Sequence, residues 1–121
     1  MKILAPVIYV LLMSSALCSQ DLKGQWNGTL HVQGTQFRIV FHVTKADNHY
    51  KATMDSPDQY VSGLPVITTS FSYPDVKFEI PTIGLVYEGT LSDDSITGKW
   101  MQAGQSFPLV LEKTENQSEE K

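Results

Sequence analysis

The sequence predicts an all-β domain, folded as a single antiparallel up-and-down barrel of about eight short strands. Three observations support this prediction. From Gly24 onward, apolar and polar residues alternate with the period of two that is typical of a strand with one buried face. Turn-forming residues interrupt this alternation at short intervals, and no stretch of this region has the spacing of an amphipathic helix. Closing such a sheet into a barrel buries the apolar face and removes the exposed edges.

The alternation is clearest in the first half of the chain. A strand over 25–32 places Trp26 and Leu30 on one face, and a strand over 37–44 repeats the pattern from Phe37 onward. A helix of the same composition would spread these apolar residues around its circumference. The remaining alternating runs lie over 50–54, 66–73, 76–80, 85–91, 96–101 and 107–111.

Proline and glycine mark the breaks between these runs. Pro57 lies in a break over 55–59, and Pro65 lies in a second break over 63–65. Proline fixes φ and removes a backbone donor, so it is unfavourable in a central strand. We therefore expect both segments to be loops.

The predicted inner face is rich in aromatic side chains. On the run over 66–73, the more apolar face also includes Ile67 and Tyr73. Glycines alternate with the rings, and large beside small side chains fill a tapered barrel interior. An eight-stranded barrel is either just filled by its side chains or holds one small ligand. We expect a mostly filled core, with any ligand near a mouth of the barrel. The inward rings are Trp26, Phe37, Phe41, Tyr50, Phe71, Phe78, Tyr87, Trp100 and Phe107.

A five-residue pattern occurs twice. WNGTL at 26–30 returns as YEGTL at 87–91, with an aromatic residue, a glycine and a leucine on one side of each strand. An internal duplication explains the repeated pattern, and so does independent selection of the same residues by sheet packing. Both explanations stay open at this point.

The first nineteen residues predict a secretory signal peptide. Lys2 supplies a positive charge, and a short apolar run and small residues follow it. Cleavage after Cys18 or Ser19 is expected in preference to a lipid anchor on Cys18, because Leu17 is bulkier than the residue that a lipoprotein signal usually has before its cysteine. The mature protein is therefore predicted to be exported, either periplasmic or secreted.

The rest of the chain predicts one domain over 20–113 and a flexible polar tail over 114–121. The chain has 13 acidic and 9 basic residues, and loss of Lys2 leaves 13 against 8, a net charge of −5. This charge opposes binding to nucleic acids and to anionic membranes. The apolar run at the start is too short for a stable membrane span.

The sequence offers little catalytic chemistry. The Gly-x-Ser-x-Gly turn of serine hydrolases is absent. Asp55 and Ser56 are residue types that shape turns, which is the simpler explanation for them. His31 and His42 fall on outward faces of neighbouring strands and could begin a metal site, but the pattern supplies no third ligand. We predict no enzyme activity, no metal and no cofactor.

Five segments together resemble a known module. They are GQWNGTL at 24–30, YKATMDSPDQ at 50–59, YEGTL at 87–91, ITGKWMQ at 96–102 and FPLVL at 107–111. They look like the small β-rich domain that precedes the catalytic domain in exported α/β-hydrolases and related serine hydrolases of Bacteroidetes-type bacteria. The Gly-x-Trp start is also similar to that of lipocalins. The sequence ends at Lys121 without a nucleophile turn, so the resemblance implies association with a hydrolase and not hydrolase activity.

We interpret the chain as an exported, non-enzymatic barrel module that binds a small apolar ligand or a partner protein. The alternatives are an accessory domain that acts in trans with an esterase-type α/β-hydrolase, and a structural assembly domain. Loops on a rigid scaffold commonly carry function, and proline and acidic residues hold such loops in fixed shapes. The candidate ligand-binding residues are therefore Asp55, Ser56, Pro57, Asp58, Gln59 and Gln102.

Overall fold

The computed structural model describes residues 21–114; the predicted signal peptide, Cys18 and nearly all of the predicted tail lie outside this range. The described residues form one sheet of nine strands and two single-turn 3-10 helices, at Pro57–Gln59 (the Pro57 turn) and Pro81–Ile83 (the Pro81 turn). The strands are β1 (Gly24–Val32), β2 (Thr35–Ala46), β3 (His49–Ser56), β4 (Val61–Val66), β5 (Thr68–Ser72), β6 (Asp75–Ile80), β7 (Leu85–Ser92), β8 (Ser95–Gln102) and β9 (Gln105–Thr114).

The strand order confirms the predicted up-and-down barrel. Around the sheet the order is β4-β3-β2-β1-β9-β8-β7-β6-β5, and each hydrogen-bonded pair is antiparallel. Strand direction alternates at each step of this order, from β4 at one end of the sheet to β5 at the other. The two end strands are eight steps apart, so β4 and β5 run in the same direction. Only Ile67 separates them, so they form one long bent strand that nearly closes the barrel. Residues 21–114 therefore contain nine hydrogen-bonded strands, or eight if β4 and β5 are counted as one continuous strand.

The bend at Ile67 corrects one prediction. Val66 faces the core opposite Ala52 of β3, and Thr69 faces it opposite Phe78 of β6. In a regular strand, side chains on the same face are an even number of residues apart. Val66 and Thr69 are three residues apart and both face inward, so the strand contains one extra residue at the bend. Ile67 therefore points outward and is 64% exposed, while its N–H donates to the Glu79 carbonyl at 2.9 Å. The expectation that Ile67 lies on the apolar face is wrong.

Tyr73, which was expected on the same apolar face, also lies outside the core. It is 56% exposed in the turn between β5 and β6, just beyond the last residue of the ladder. Its ring contacts Phe71 edge-on, with 6.3 Å between the ring centroids. The apolar alternation thus ends at Phe71, because the chain turns before Tyr73 can reach the interior.

Strand β4 was expected to be a loop at 63–65, and that expectation is also wrong. Proline is tolerated in an edge strand, where its missing N–H breaks no central ladder. β4 pairs with β3 alone, so Pro65 occupies such an edge. The N–H of Gly63 donates instead to the Asp55 carboxylate at 2.7 Å. The ladder between β3 and β4 is therefore irregular here, with a register shift between Met54 and Ser56.

Stacked rings fill the barrel, as the inward pattern predicted. Phe41 and Phe78 stack across the interior with their centroids 4.4 Å apart, and Tyr87 lies 6.1 Å from each. Leu22 closes the end of the barrel where β1 begins, and its carbonyl accepts a 2.8 Å hydrogen bond from Trp26 Nε1. Burial of these rings supplies the largest apolar area available to the fold.

Paired glycines let two strands approach closely beside this core. Gly89 of β7 and Gly98 of β8 are direct partners, and the Tyr87 hydroxyl lies beside Gly98 and donates to the Leu109 carbonyl at 2.8 Å. A Cβ on Gly98 would collide with the Glu88 carbonyl and would lie 2.7 Å from the Tyr87 hydroxyl oxygen. The wall can take this shape only with glycine at this position.

We predict that Gly98→Ala destabilises the protein by about 1–3 kcal/mol, because the new methyl group overpacks the wall against backbone atoms that cannot move away. Urea denaturation followed by fluorescence measures this change. Thr97→Ala, on the exposed face of the same strand, is the matched control and should change the free energy of unfolding by less than about 0.5 kcal/mol. Equal stability of the two variants would contradict the proposed close packing.

Candidate functional site

Four turns share one end of the barrel, which we call the turn end. Following the strand directions, β1, β3, β6 and β8 finish at this end. The turn end therefore carries the turn at 33–34, the Pro57 turn, the Pro81 turn and the turn at 103–104. All six predicted binding residues lie at or beside it, since 55–59 ends β3 and Gln102 ends β8.

The Pro57 turn and the Pro81 turn have nearly the same backbone. Each follows a strand residue with ψ 85°, begins with proline and ends with a residue in the left-handed region. That last residue is Tyr60 (φ 61°, ψ 35°) in the first turn and Gly84 (φ 67°, ψ 30°) in the second. In both turns its N–H donates to the carbonyl of the proline.

Tyr60 is the unusual residue of this pair. Left-handed backbone costs an L-residue roughly 1–2 kcal/mol, and glycine avoids most of that cost, as Gly84 does in the other turn. Tyr60 is also 97% exposed, so packing of its ring does not explain its presence. Gln33, Asp47, Asp93 and Ala103, each in a hairpin turn, also have positive φ, but none of them carries an aromatic ring. Non-glycine residues held in such conformations cluster at functional sites, where the surrounding structure holds them in place.

Asp58 fastens the Pro57 turn to β2. Its carboxylate accepts hydrogen bonds from the Arg38 backbone N–H (2.7 Å), from Nε (3.2 Å) and from Nη2 (2.9 Å). These bonds from Arg38 hold the pKa of the Asp58 carboxyl below its usual value, and the carboxylate in turn raises the pKa of Arg38. The planar guanidinium engages both carboxylate oxygens, which fixes the orientation of the turn as well as its position.

Asp55 fastens the other side of the turn. One carboxylate oxygen lies 2.9 Å from His42 Nε2 on β2, and the other accepts the Gly63 N–H at 2.7 Å. Partial burial alone would raise the pKa of Asp55, but the bonds from Gly63 and His42 outweigh burial and hold the pKa below its usual value. Asp55 thus connects β2, β3 and β4 at the turn end.

Ser56 and Gln59 complete the turn from inside. Ser56 is fully buried, and its hydroxyl accepts a hydrogen bond from Gln59 Nε2 at 2.7 Å. Asp55 and His42 lie on the outer face, whereas the adjacent Ser56 faces inward, so the structure does not bring a serine, a histidine and an aspartate together. A buried hydroxyl on the opposite face from the imidazole is not placed to act as a nucleophile.

Gln102 has a comparable structural position beside the Pro81 turn. Its side-chain oxygen accepts the Trp100 indole N–H at 3.0 Å, and its amide nitrogen donates to the Ile83 carbonyl at 2.8 Å. The polar side chains predicted to bind a ligand are thus engaged in bonds within the chain. Pro57, Asp58 and Gln59 are nevertheless exposed, and Pro57 lines an outer groove with Arg38.

The pattern of alternation did not identify Tyr60 or Ile83, which are the large exposed apolar residues of the two turns. A signal was available for Tyr60: it ends a Pro-x-x-Tyr segment at the place where the second turn, Pro-x-x-Gly, has glycine. His31 and His42 do not stand opposite each other on β1 and β2, because His31 stands opposite Gln36 and His42 stands opposite Gln25. Over residues 21–114, no cluster of three or more histidine, cysteine or acidic side chains could hold a metal ion.

Comparisons of the chain with protein-family models, with curated proteins and with solved structures find no match. Among the described residues, no helix has the length and apolar character needed to cross a membrane. The site must therefore be interpreted from its own geometry, in which a locked turn presents one exposed aromatic side chain.

We predict that Asp55→Asn lowers the stability at neutral pH by about 1 kcal/mol and reduces its loss in acid. The folded-state pKa of Asp55 lies below the ordinary value of 3.8, so its contribution is complete above that value and disappears as the pH falls through the folded-state pKa. Urea midpoints between about pH 6 and about pH 2 measure the effect. Asp93→Asn, in an exposed hairpin turn, is the control, and identical pH profiles for the two variants would contradict the role of Asp55.

Proposed function

We propose that this protein is an exported, non-enzymatic binding module that recognises a partner protein through its turn end, with Tyr60 as the central contact. The observation that carries the proposal is the exposure of the Tyr60 ring, which is 97% exposed on a left-handed residue at the end of a turn with two carboxylate anchors. Tyrosine is enriched among the residues that dominate binding energy at protein interfaces.

The rigidity of the turn supports this function. A loop that is ordered before binding loses less conformational entropy when the complex forms. Asp55 and Asp58 fix both sides of the Pro57 turn, and Ser56 with Gln59 fixes its interior. The side chain of Tyr60 has few rotatable bonds, so it offers a large contact area at a low cost in entropy.

The filled interior favours a protein partner over a small apolar ligand. Such a ligand needs a dry cavity, and the stacked rings of Phe41, Phe78 and Tyr87 occupy the centre of the barrel. The resemblance to the module of exported hydrolases makes an esterase-type hydrolase, bound in trans, the partner class that we favour. A second copy of the chain, as in a structural assembly, is the alternative partner.

Photocrosslinking tests the proposal directly. We expect a photoreactive phenylalanine analogue at position 60, in cells that naturally produce the protein, to give one covalent adduct of defined mass, because the ring at this position contacts the partner. The same analogue at Tyr73, which is 56% exposed at the opposite end, is the control and should give no adduct. Mass spectrometry then identifies a hydrolase, another protein or a second copy of the chain. Absence of any adduct at position 60 would overturn the proposal.

Substitutions at position 60 should separate stability from binding. Tyr60→Gly relieves the left-handed strain and Tyr60→Ala does not, so the glycine variant should be more stable than the alanine variant by about 0.5–1 kcal/mol. Both variants lack the ring and should bind the crosslinked partner about 30-fold more weakly or worse, the loss typical of a central aromatic contact. Urea denaturation and titration calorimetry measure the two effects. Retained affinity in either variant would remove Tyr60 from the interface.

A further inference from the structure

The outer face of the barrel carries a second groove, which includes no residue of the Pro57 turn. It has a volume of about 800 Å³ and lies across β5 to β9. Gly89 and Gly98 lie in its floor, where the two strands approach most closely. The sheet at β7 and β8 curves toward the core where Tyr87 packs beside these glycines, and its outer surface is therefore concave. The volume is within the range of small-ligand sites.

One cross-strand row of side chains crosses this groove. The ladders place Ser70 opposite Lys77, Lys77 opposite Glu88, Glu88 opposite Lys99, and Lys99 opposite Pro108. All five residues line the groove. Because neighbouring strands lie about 4.8 Å apart, the row extends over about 19 Å. That length suits an extended chain better than a single compact molecule.

The charges of the row largely compensate one another. Lys77 Nζ lies 3.7 Å from the Glu88 carboxylate and 3.5 Å from that of Glu79, and Lys99 stands on the other side of Glu88. A groove with balanced charges does not select a strongly charged ligand by long-range attraction. It instead offers alternating donors and acceptors.

The neighbouring row adds hydroxyl groups. Thr90 and Thr97 are exposed cross-strand partners beside Glu88 and Lys99, and both line the groove. Hydroxyls both donate and accept, ammonium groups only donate and carboxylates only accept. Met101 and Pro108 supply apolar surface at one side. A ligand that matches this mixture carries many hydroxyls, no net charge and exposed C–H faces.

We propose that this groove binds a neutral oligosaccharide chain, with Glu88, Lys99 and Thr97 as its polar contacts. The site is separate from Tyr60 and the Pro57 turn, because none of the residues of that turn lines the groove. It is thus a second binding surface, which would let the module hold a glycan and a protein partner at the same time.

Titration of the ¹⁵N-labelled protein with cellohexaose, maltohexaose and chitohexaose tests the site. We expect at least one of these neutral probes, at up to about 10 mM because single-site glycan binding is weak, to shift the amide signals of the row from Ser70 to Pro108. Absence of shifts with all three probes, or shifts confined to other strands, would overturn the proposal. Tighter binding of the charged hexagalacturonate than of each neutral probe would also overturn it.

Variants make the test specific. Glu88→Gln and Thr97→Val should each weaken binding of the responding probe about tenfold, since each removes a hydrogen-bonding group. Glu112→Gln, on the outer wall beside a different groove, should leave the affinity unchanged. Tyr60→Gly should also leave it unchanged, so loss of partner binding and loss of glycan binding are distinguishable. An equal effect of Glu88→Gln and Glu112→Gln would contradict the assigned site.

Discussion

The fit of the Tyr87 ring against a wall of paired glycines is the constraint on which the barrel depends. The hydroxyl of this buried tyrosine reaches the Leu109 carbonyl only because Gly98 leaves no side chain in its path. Burial raises the pKa of Tyr87, so the group remains a neutral donor. One interaction therefore connects β7, β8 and β9, satisfies a polar group in an aromatic core, and sets the curvature from which the outer groove follows.

The closure of the barrel depends on the bend at Ile67 and on the bonds of Asp55. A strand that changes partners must shift its register, and the extra residue at Ile67 provides the shift between the β3 ladder and the β6 ladder. In β4, Pro65 has no N–H, and the Gly63 N–H donates to the Asp55 carboxylate of the neighbouring β3. The same carboxylate therefore holds the edge strand β4 to β3 and anchors the Pro57 turn, so the edge of the sheet and the shape of the candidate site are coupled.

The sequence was sufficient for the fold class because period-two alternation depends on local chain geometry, and the rings from Trp26 to Phe107 kept that period. The predictions from the sequence were wrong for β4 and for Ile67. Whether these residues form an edge strand or a bend depends on which strands lie at the edges of the closed sheet, and the local sequence does not determine that. It located the Pro57 turn through its proline and aspartates. It could not show that Asp55 and Asp58 bond within the chain, because their partners Gly63, His42 and Arg38 are brought near by the ladders.

A filled interior also determines where recognition can occur. Since the rings exclude a ligand from the centre, contacts with other molecules must use the turns or the outer walls, and the two surfaces differ in chemistry. The turn end offers one rigid aromatic side chain beside locked polar groups, which suits a protein contact made at a point. The wall over β5 to β9 offers a long row of balanced polar groups, which suits an extended hydroxyl-rich chain. The stable core lets the turn hold Tyr60 in a costly conformation, so the architecture and the proposed recognition depend on the same packed interior.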